Sequence, residues 1–283
     1  MSRTYFPVFA ALLLSATLAV PAAAEHSWGV YHWARKTTPF KLLVVDSVTS
    51  EWQAAFDRSL IEWNGSSKLY NFVDSTDENS KTRKRCKMVQ GQMRVCNAKY
   101  VQNGWLGMAT INIDSNGHIT QGTAKMNDSY DWYFADNQKE VNHVTCQEIG
   151  HVYGLGHTST DGSSQDSCMD YSTSTTSQWP SPHDYEQLIA IYGGLTDSYD
   201  TYYTASDGGG GGGDGGGSGC NAPPGKGCNK HEAPGGVPPG AVRVHYNPGR
   251  DGNLGHADYV LGDDEGGLWV FHLTLIPEDA RRR

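Results

Sequence analysis

The sequence predicts a mixed α/β (α+β) domain, a twisted mixed sheet packed on helices, with a small β-rich C-terminal segment. Three observations carry this. Short runs of branched apolar residues alternate with stretches of helical periodicity, as in strands interleaved with helices. A glycine run from Gly208 to Gly219, broken only by Asp214 and Ser218, divides the chain; such a run cannot bury apolar surface and reads as a flexible linker. Beyond it, only three strand-like segments stand out. The expected division is therefore a leader over residues 1–24, a folded domain over 25–205, a Gly/Pro-rich linker over 206–240 and a β-rich segment over 241–283.

The elements follow in order. Phe40–Asp46 reads as a buried strand. A helix follows with Ser50 as its expected N-cap and Gln53 completing a capping box. Its apolar face is Trp52, Phe56, Leu60 and Trp63, and Asn64-Gly65 ends it. Met93–Cys96 and Trp105–Ile113 read as strands. Asn116-Gly117 is a turn signal before a strand over His118–Thr123. Lys139–Tyr153 is predicted helical. A last helix opens with Ser181 as cap, Pro182 in the first turn and Asp184 at the third position, and stops at Gly193-Gly194. After the linker, Ala241–Tyr246, His256–Leu261 and Leu268–Ile276 are the predicted strands, either a separate module or an addition to the main sheet. The basic run Lys81–Arg85 reads as a solvated loop.

The N-terminus has the layout of a signal peptide. Arg3 precedes an apolar stretch from Val8 to Val20, and Ala22–Ala24 offer small residues before Glu25. The mature chain is thus expected outside the cytosol, secreted or periplasmic, without a membrane span and as a monomer. The net charge of -9 argues against a general nucleic-acid binder, which needs a basic face. All six cysteines follow the leader, and an even number in an exported chain suggests disulfides. Pairing sequence neighbours gives Cys86–Cys96, closing a hairpin around Gln90-Gly91, then Cys146–Cys168 and Cys220–Cys228.

The chemistry sits in the segment Cys146-Gln147-Glu148-Ile149-Gly150-His151-Val152-Tyr153-Gly154-Leu155-Gly156-His157. A zinc hydrolase helix reads H-E-x-x-H, with two ligands one turn apart and a glutamate beside the metal. Gln147 and His151 hold the two ligand positions here, and Glu148 is placed to act as the base. Gly154 permits a sharp reversal that returns His157 to the same metal.

Glu148, His151, Gly154 and His157 match the metzincin pattern H-E-x-x-H-x-x-G-x-x-H, and Gln147 departs from it. Ser167-Cys168-Met169-Asp170-Tyr171 resembles a Met-turn. The remainder resembles matrixins: Gly104-Trp105-Leu106-Gly107 leads into the strand Met108–Ile113, and Asp184–Leu188 leads to Ile191-Tyr192-Gly193. The resemblance runs from about Phe40 to Gly194. It implies a metzincin-like zincin fold, zinc as cofactor and a peptide or protein substrate. It also implies Met169 as an apolar base under the metal and Tyr171 as a ligand or a stabiliser of the transition state. Matrixins often carry a propeptide cysteine that blocks the metal; no cysteine precedes Cys86, so latency by that route is not expected.

Three readings of Gln147 stand side by side. Its amide oxygen ligates zinc weakly; another residue, with Tyr171, Asp170 and His183 as candidates, takes the position; or the metal is lost and the scaffold binds peptides or surfaces without catalysis. Calcium is a further candidate cofactor, through Asp161, Asp166 and Asp170, although no EF-hand spacing supports it. His143 lies too far along the helix to share the metal with His151, and His118 has no partner spacing.

Overall fold

The computed structural model describes residues 26–202, 236–263 and 266–282. Its framework is one twisted sheet. The strands are β1 (His32–Trp33), β2 (Phe40–Ser47), β3 (Leu69–Thr76), β4 (Gln92–Ala98), β5 (Trp105–Ile113), β6 (His118–Asn127), β7 (Val242–Asn247), β8 (Gly255–Gly262) and β9 (Leu268–Leu275). They run in the order β3-β2-β4-β6-β5-β9-β8-β7, with β1 also paired to β6. The strands β3, β2, β4 and β6 are parallel neighbours, whereas β5, β9, β8 and β7 continue antiparallel.

The interior strands follow from composition. Within β2 only Lys41 is exposed, which suits a parallel strand covered on both faces. Every residue of β5 is buried. Against the sheet pack α1 (Ser50–Trp63) and α4 (Gln138–Val152), and α5 (Pro182–Tyr192) closes the domain. Trp52, Phe56, Leu60 and Trp63 line the buried face of α1. The indole N–H of Trp63 donates to the Cys146 carbonyl at 3.1 Å and so fastens α1 to α4.

Several expectations are corrected. The N-cap of α1 is Thr49, one residue earlier than expected, and no side-chain capping bond forms there. Gln53 turns away and donates to Asp46 and Asp57 instead. The basic run is a short helix, α2 (Ser80–Arg85), because the Asn79 side chain accepts from the Lys81 and Thr82 amides. The strand β3 carries little alternation and is mostly exposed beyond Phe72, so its sequence leaves no clear signal. The disulfide Cys86–Cys96 forms, but it ties the end of α2 to β4 and does not close a hairpin. The α5 cap residue is Ser181 as expected, ahead of Pro182, and the Asp184 carboxylate accepts from the Ser181 amide at 2.5 Å. A four-residue helix, α3 (Asp131–Phe134), precedes α4.

Of the two arrangements open for the C-terminal strands, the structure has them joining the main sheet. Strand β9 pairs with β5 from Leu275 opposite Trp105 to Leu268 opposite Ile113. No helix among the described residues is long and apolar enough to cross a membrane. The leader, the glycine run and the Cys220–Cys228 pairing lie outside the described residues.

The bond Cys146–Cys168 also forms, across 22 residues. Opening it through Cys146→Ala/Cys168→Ala is expected to cost about 3 kcal/mol, the entropy that a cross-link of this span removes from the unfolded chain. Urea denaturation checks this; an unchanged midpoint would show that packing alone holds α4 and the Cys168 loop together.

Candidate metal centre

Helix α4 positions the first part of the site. Its last turn carries His151, and Tyr153 caps it before the chain turns at Gly154, whose φ is +91°. A Cβ at Gly154 would stand 2.3 Å from the Tyr31 carbonyl oxygen, so both conformation and space demand glycine. The reversal brings the His157 ring to 4.5 Å from that of His151, centroid to centroid.

The loop Ser167–Tyr171 then passes beneath α4. Ser167 donates to Asp184 of α5 at 2.7 Å and accepts from the Met169 amide at 2.8 Å. Met169 is fully buried. A Cβ on Gly150 would lie 2.5 Å from its sulfur, so glycine there lets the methionine press against the helix. The neighbouring disulfide Cys146–Cys168 holds helix and loop in register.

Glu148 is fully buried, directly over Gly107 of β5, where any Cβ would come within 2.5 Å of its carboxyl oxygen. Burial pushes its carboxyl well above the usual carboxylate range, opposed by hydrogen bonds from Thr274 and the Ala109 main chain. Its Oε2 has no hydrogen-bond partner. Tyr171 is also buried, with its hydroxyl 2.6 Å from Nδ1 and 2.7 Å from Nε2 of His157. Burial raises this phenol well above its ordinary value.

Gln147 is fixed at both ends of its amide. The NH2 donates to the Asp170 carbonyl at 2.8 Å, and Oε1 lies 2.5 Å from the Thr274 hydroxyl. The same hydroxyl is 2.5 Å from Glu148 Oε1. One hydroxyl proton cannot serve both oxygens, and the neutral acid form of Glu148, favoured by burial, supplies the second.

The other candidates are placed elsewhere. Asp170 is buried and accepts from the Gln165 and Ser172 amides and the Ser177 hydroxyl. His183 stacks on His26. His143 meets the Asp170 carbonyl at 3.0 Å. Asp161 is exposed and bound to Ser159 and Ser163, so it does not join Asp166 and buried Asp170 in a group able to hold one ion. His118 groups with His32 and Asp197 at the far end of β6.

Sequence reasoning missed one part of the site. Strand β9 brings a third imidazole, His272, to 4.0 Å from His151 and 4.6 Å from His157, centroid to centroid. One ring nitrogen from each of the three lies within 4.8 Å of the others. His272 Nδ1 is 2.7 Å from Asp258 Oδ1 on β8. His256, also on β8, stacks on Tyr171. The available signals were slight: polar residues alternating on one strand face, as His256 and Asp258 do, and as His272 and Thr274 do amid apolar neighbours.

The three rings are neutral. Burial holds His151 and His157 well below the ordinary histidine range, and neighbouring imidazoles push the same way. Burial takes His272 down to about 3. Neutral imidazoles carry lone pairs and suit zinc. The buried Nε2 of His151 has no hydrogen-bond partner, as expected for a nitrogen reserved for a cation. The donor set therefore fits zinc.

A helix bearing Glu148 and His151, a glycine reversal, a returning histidine and a buried methionine beneath them define a metallopeptidase scaffold of the zincin kind. The matrixin family model matches residues 32–193, and the chain belongs to this peptidase family. The fold class and the resemblance drawn from the motif are thus borne out. Among solved structures, archaemetzincin from Archaeoglobus fulgidus, complexed with malonate, is similar at 15% identity over 52% of this chain and 99% of its own, with a TM-score of 0.28. No curated protein matches the chain.

Proposed function

We propose that the protein is a secreted zinc-dependent metalloendopeptidase. The observation that carries this is the convergence of the His151 and His157 rings, with the His151 Nε2 buried and unpartnered. Bound zinc would supply a Lewis acid that acidifies water and polarises a peptide carbonyl. Glu148 takes the proton of the attacking water at its free Oε2 and returns it to the leaving amine. A cation held by these residues would lower the Glu148 pKa, so that it would start as carboxylate. Tyr171 donates its phenolic proton to the oxyanion as charge develops there. Gly107, by lacking a side chain, lets Glu148 lie against β5.

One observation favours the alternative, a catalytically silent scaffold that binds peptides or surfaces. Strand β9 lies along the whole of β5, and Glu148, His151 and His272, which β9 itself carries, are all buried. Of the three imidazoles, only His157 retains some exposure. A substrate must therefore approach from the His157 side or displace β9.

Elemental analysis and casein cleavage decide between the two. The expected result is stoichiometric zinc in the purified protein, with cleavage abolished by a chelator and restored by added zinc. Zinc without cleavage would leave the silent scaffold, and absence of both would remove the metallopeptidase reading.

A further inference from the structure

The first ligand position of the helix carries Gln147 where the motif has histidine. Gln147 is poorly suited. An amide oxygen is a hard neutral donor, better matched to magnesium or calcium than to zinc. Here that oxygen faces Thr274, and the amide nitrogen is tied to Asp170. The contact with Thr274 already takes up one of the two lone pairs of that oxygen.

His272 has the opposite character. Its Nδ1 meets the Asp258 carboxylate at 2.7 Å. A carboxylate there keeps the proton on Nδ1 and leaves the Nε2 lone pair free, the arrangement usual for a metal-binding histidine. His151 is set up alike, with its Nδ1 on the Leu155 carbonyl at 2.8 Å. The His151 Nε2 has no hydrogen-bond partner, the His272 Nε2 has only a long 3.5 Å contact with the Thr274 hydroxyl, and a nitrogen of each shares one small space with His157. Nitrogen lone pairs directed into one small space repel one another, and a cation between them removes the repulsion.

The sheet register explains how a distant segment reaches this point. His272 pairs with Ala109 and Thr274 with Gly107. Residues two apart on a strand share a face, so one face of β9 delivers both the imidazole and the hydroxyl that holds Gln147 and Glu148. We propose that His272, carried by the C-terminal strand and oriented by Asp258, is the third protein ligand of the zinc centre in place of the residue at 147. This rests on the reading that the centre holds zinc.

The test is zinc affinity of the full chain, by competition with a chromogenic chelator, together with the visible spectrum of the cobalt(II) form. His272→Ala is expected to weaken zinc binding by more than the roughly 10–100-fold that loss of an orienting partner produces, and to change the cobalt spectrum. Asp258→Asn should fall within that range, while Gln147→Ala should leave affinity and spectrum unchanged. The double variant His272→Ala/Gln147→His should recover both, which a merely misfolded His272→Ala could not do. If Gln147→Ala loses zinc and His272→Ala keeps it, the proposal is overturned while the zinc peptidase stands. If the wild-type chain binds no zinc, that reading fails and takes the proposal with it.

Discussion

Glu148→Gln is expected to lower peptide hydrolysis by about 10²–10⁴-fold, the usual worth of a positioned general base, while zinc stays bound. Glutamine preserves the size of the side chain, so it fits against Gly107 and can still meet Thr274. Burial already favours the uncharged form of Glu148 in the metal-free protein, so a neutral amide brings no new charge to the core. Metal-free stability should therefore hold or rise slightly. What the variant removes is the ability to take a proton at Oε2. Hydrolysis of a quenched fluorescent peptide, run beside a zinc assay and a melting curve, separates the roles. Full activity in Glu148→Gln would sink the mechanism; lost zinc or a collapsed melting temperature would instead mark Glu148 as structural.

Gly154→Ala is expected to disrupt both fold and centre. Alanine at φ +91° carries backbone strain of about 1–3 kcal/mol. Its methyl would also meet the Tyr31 carbonyl at 2.3 Å, against backbone that cannot rotate away. The N-terminal segment must then shift. Trp28, whose amide donates to the Gly154 carbonyl at 2.7 Å and whose ring stacks on His151, would move with it. Zinc affinity should fall as His157 leaves its place. Gly194→Ala is the control, since a Cβ there meets nothing within 4 Å; replacing glycine in open space changes stability little or raises it. Urea midpoints check the pair, and equal midpoints would show that the turn tolerates a side chain.

The motif helix was legible because its chemistry is local. Glu148 and His151 sit one turn apart, Gly154 marks the reversal, and His157 follows at a spacing that only such a reversal explains. The Met-turn and the cap of α5 were legible for the same reason. What failed was of two kinds. The helix α2 turns on a single Asn79 side chain capping a basic run, and β3 is an edge strand with weak alternation; neither leaves a pattern longer than noise. The Cys86–Cys96 pairing was legible, but the hairpin around it failed because what that bond ties together depends on where α2 sits against β4.

By itself, then, the sequence determined the scaffold: an α/β domain with Glu148 and two histidines on one helix-and-turn unit and a methionine loop beneath. It also exposed the problem at Gln147. Only the tertiary structure decided what lies opposite that glutamine. Thr274, whose hydroxyl meets the Gln147 oxygen, is 127 residues further along the chain, and no periodicity links the two. Their meeting depends on β9 pairing with β5 in one register, in which a shift by a single residue would turn His272 and Thr274 to the other face of the sheet. Register between distant strands is set by the packing of whole faces, so it is a property of the folded sheet and not of any local run of residues.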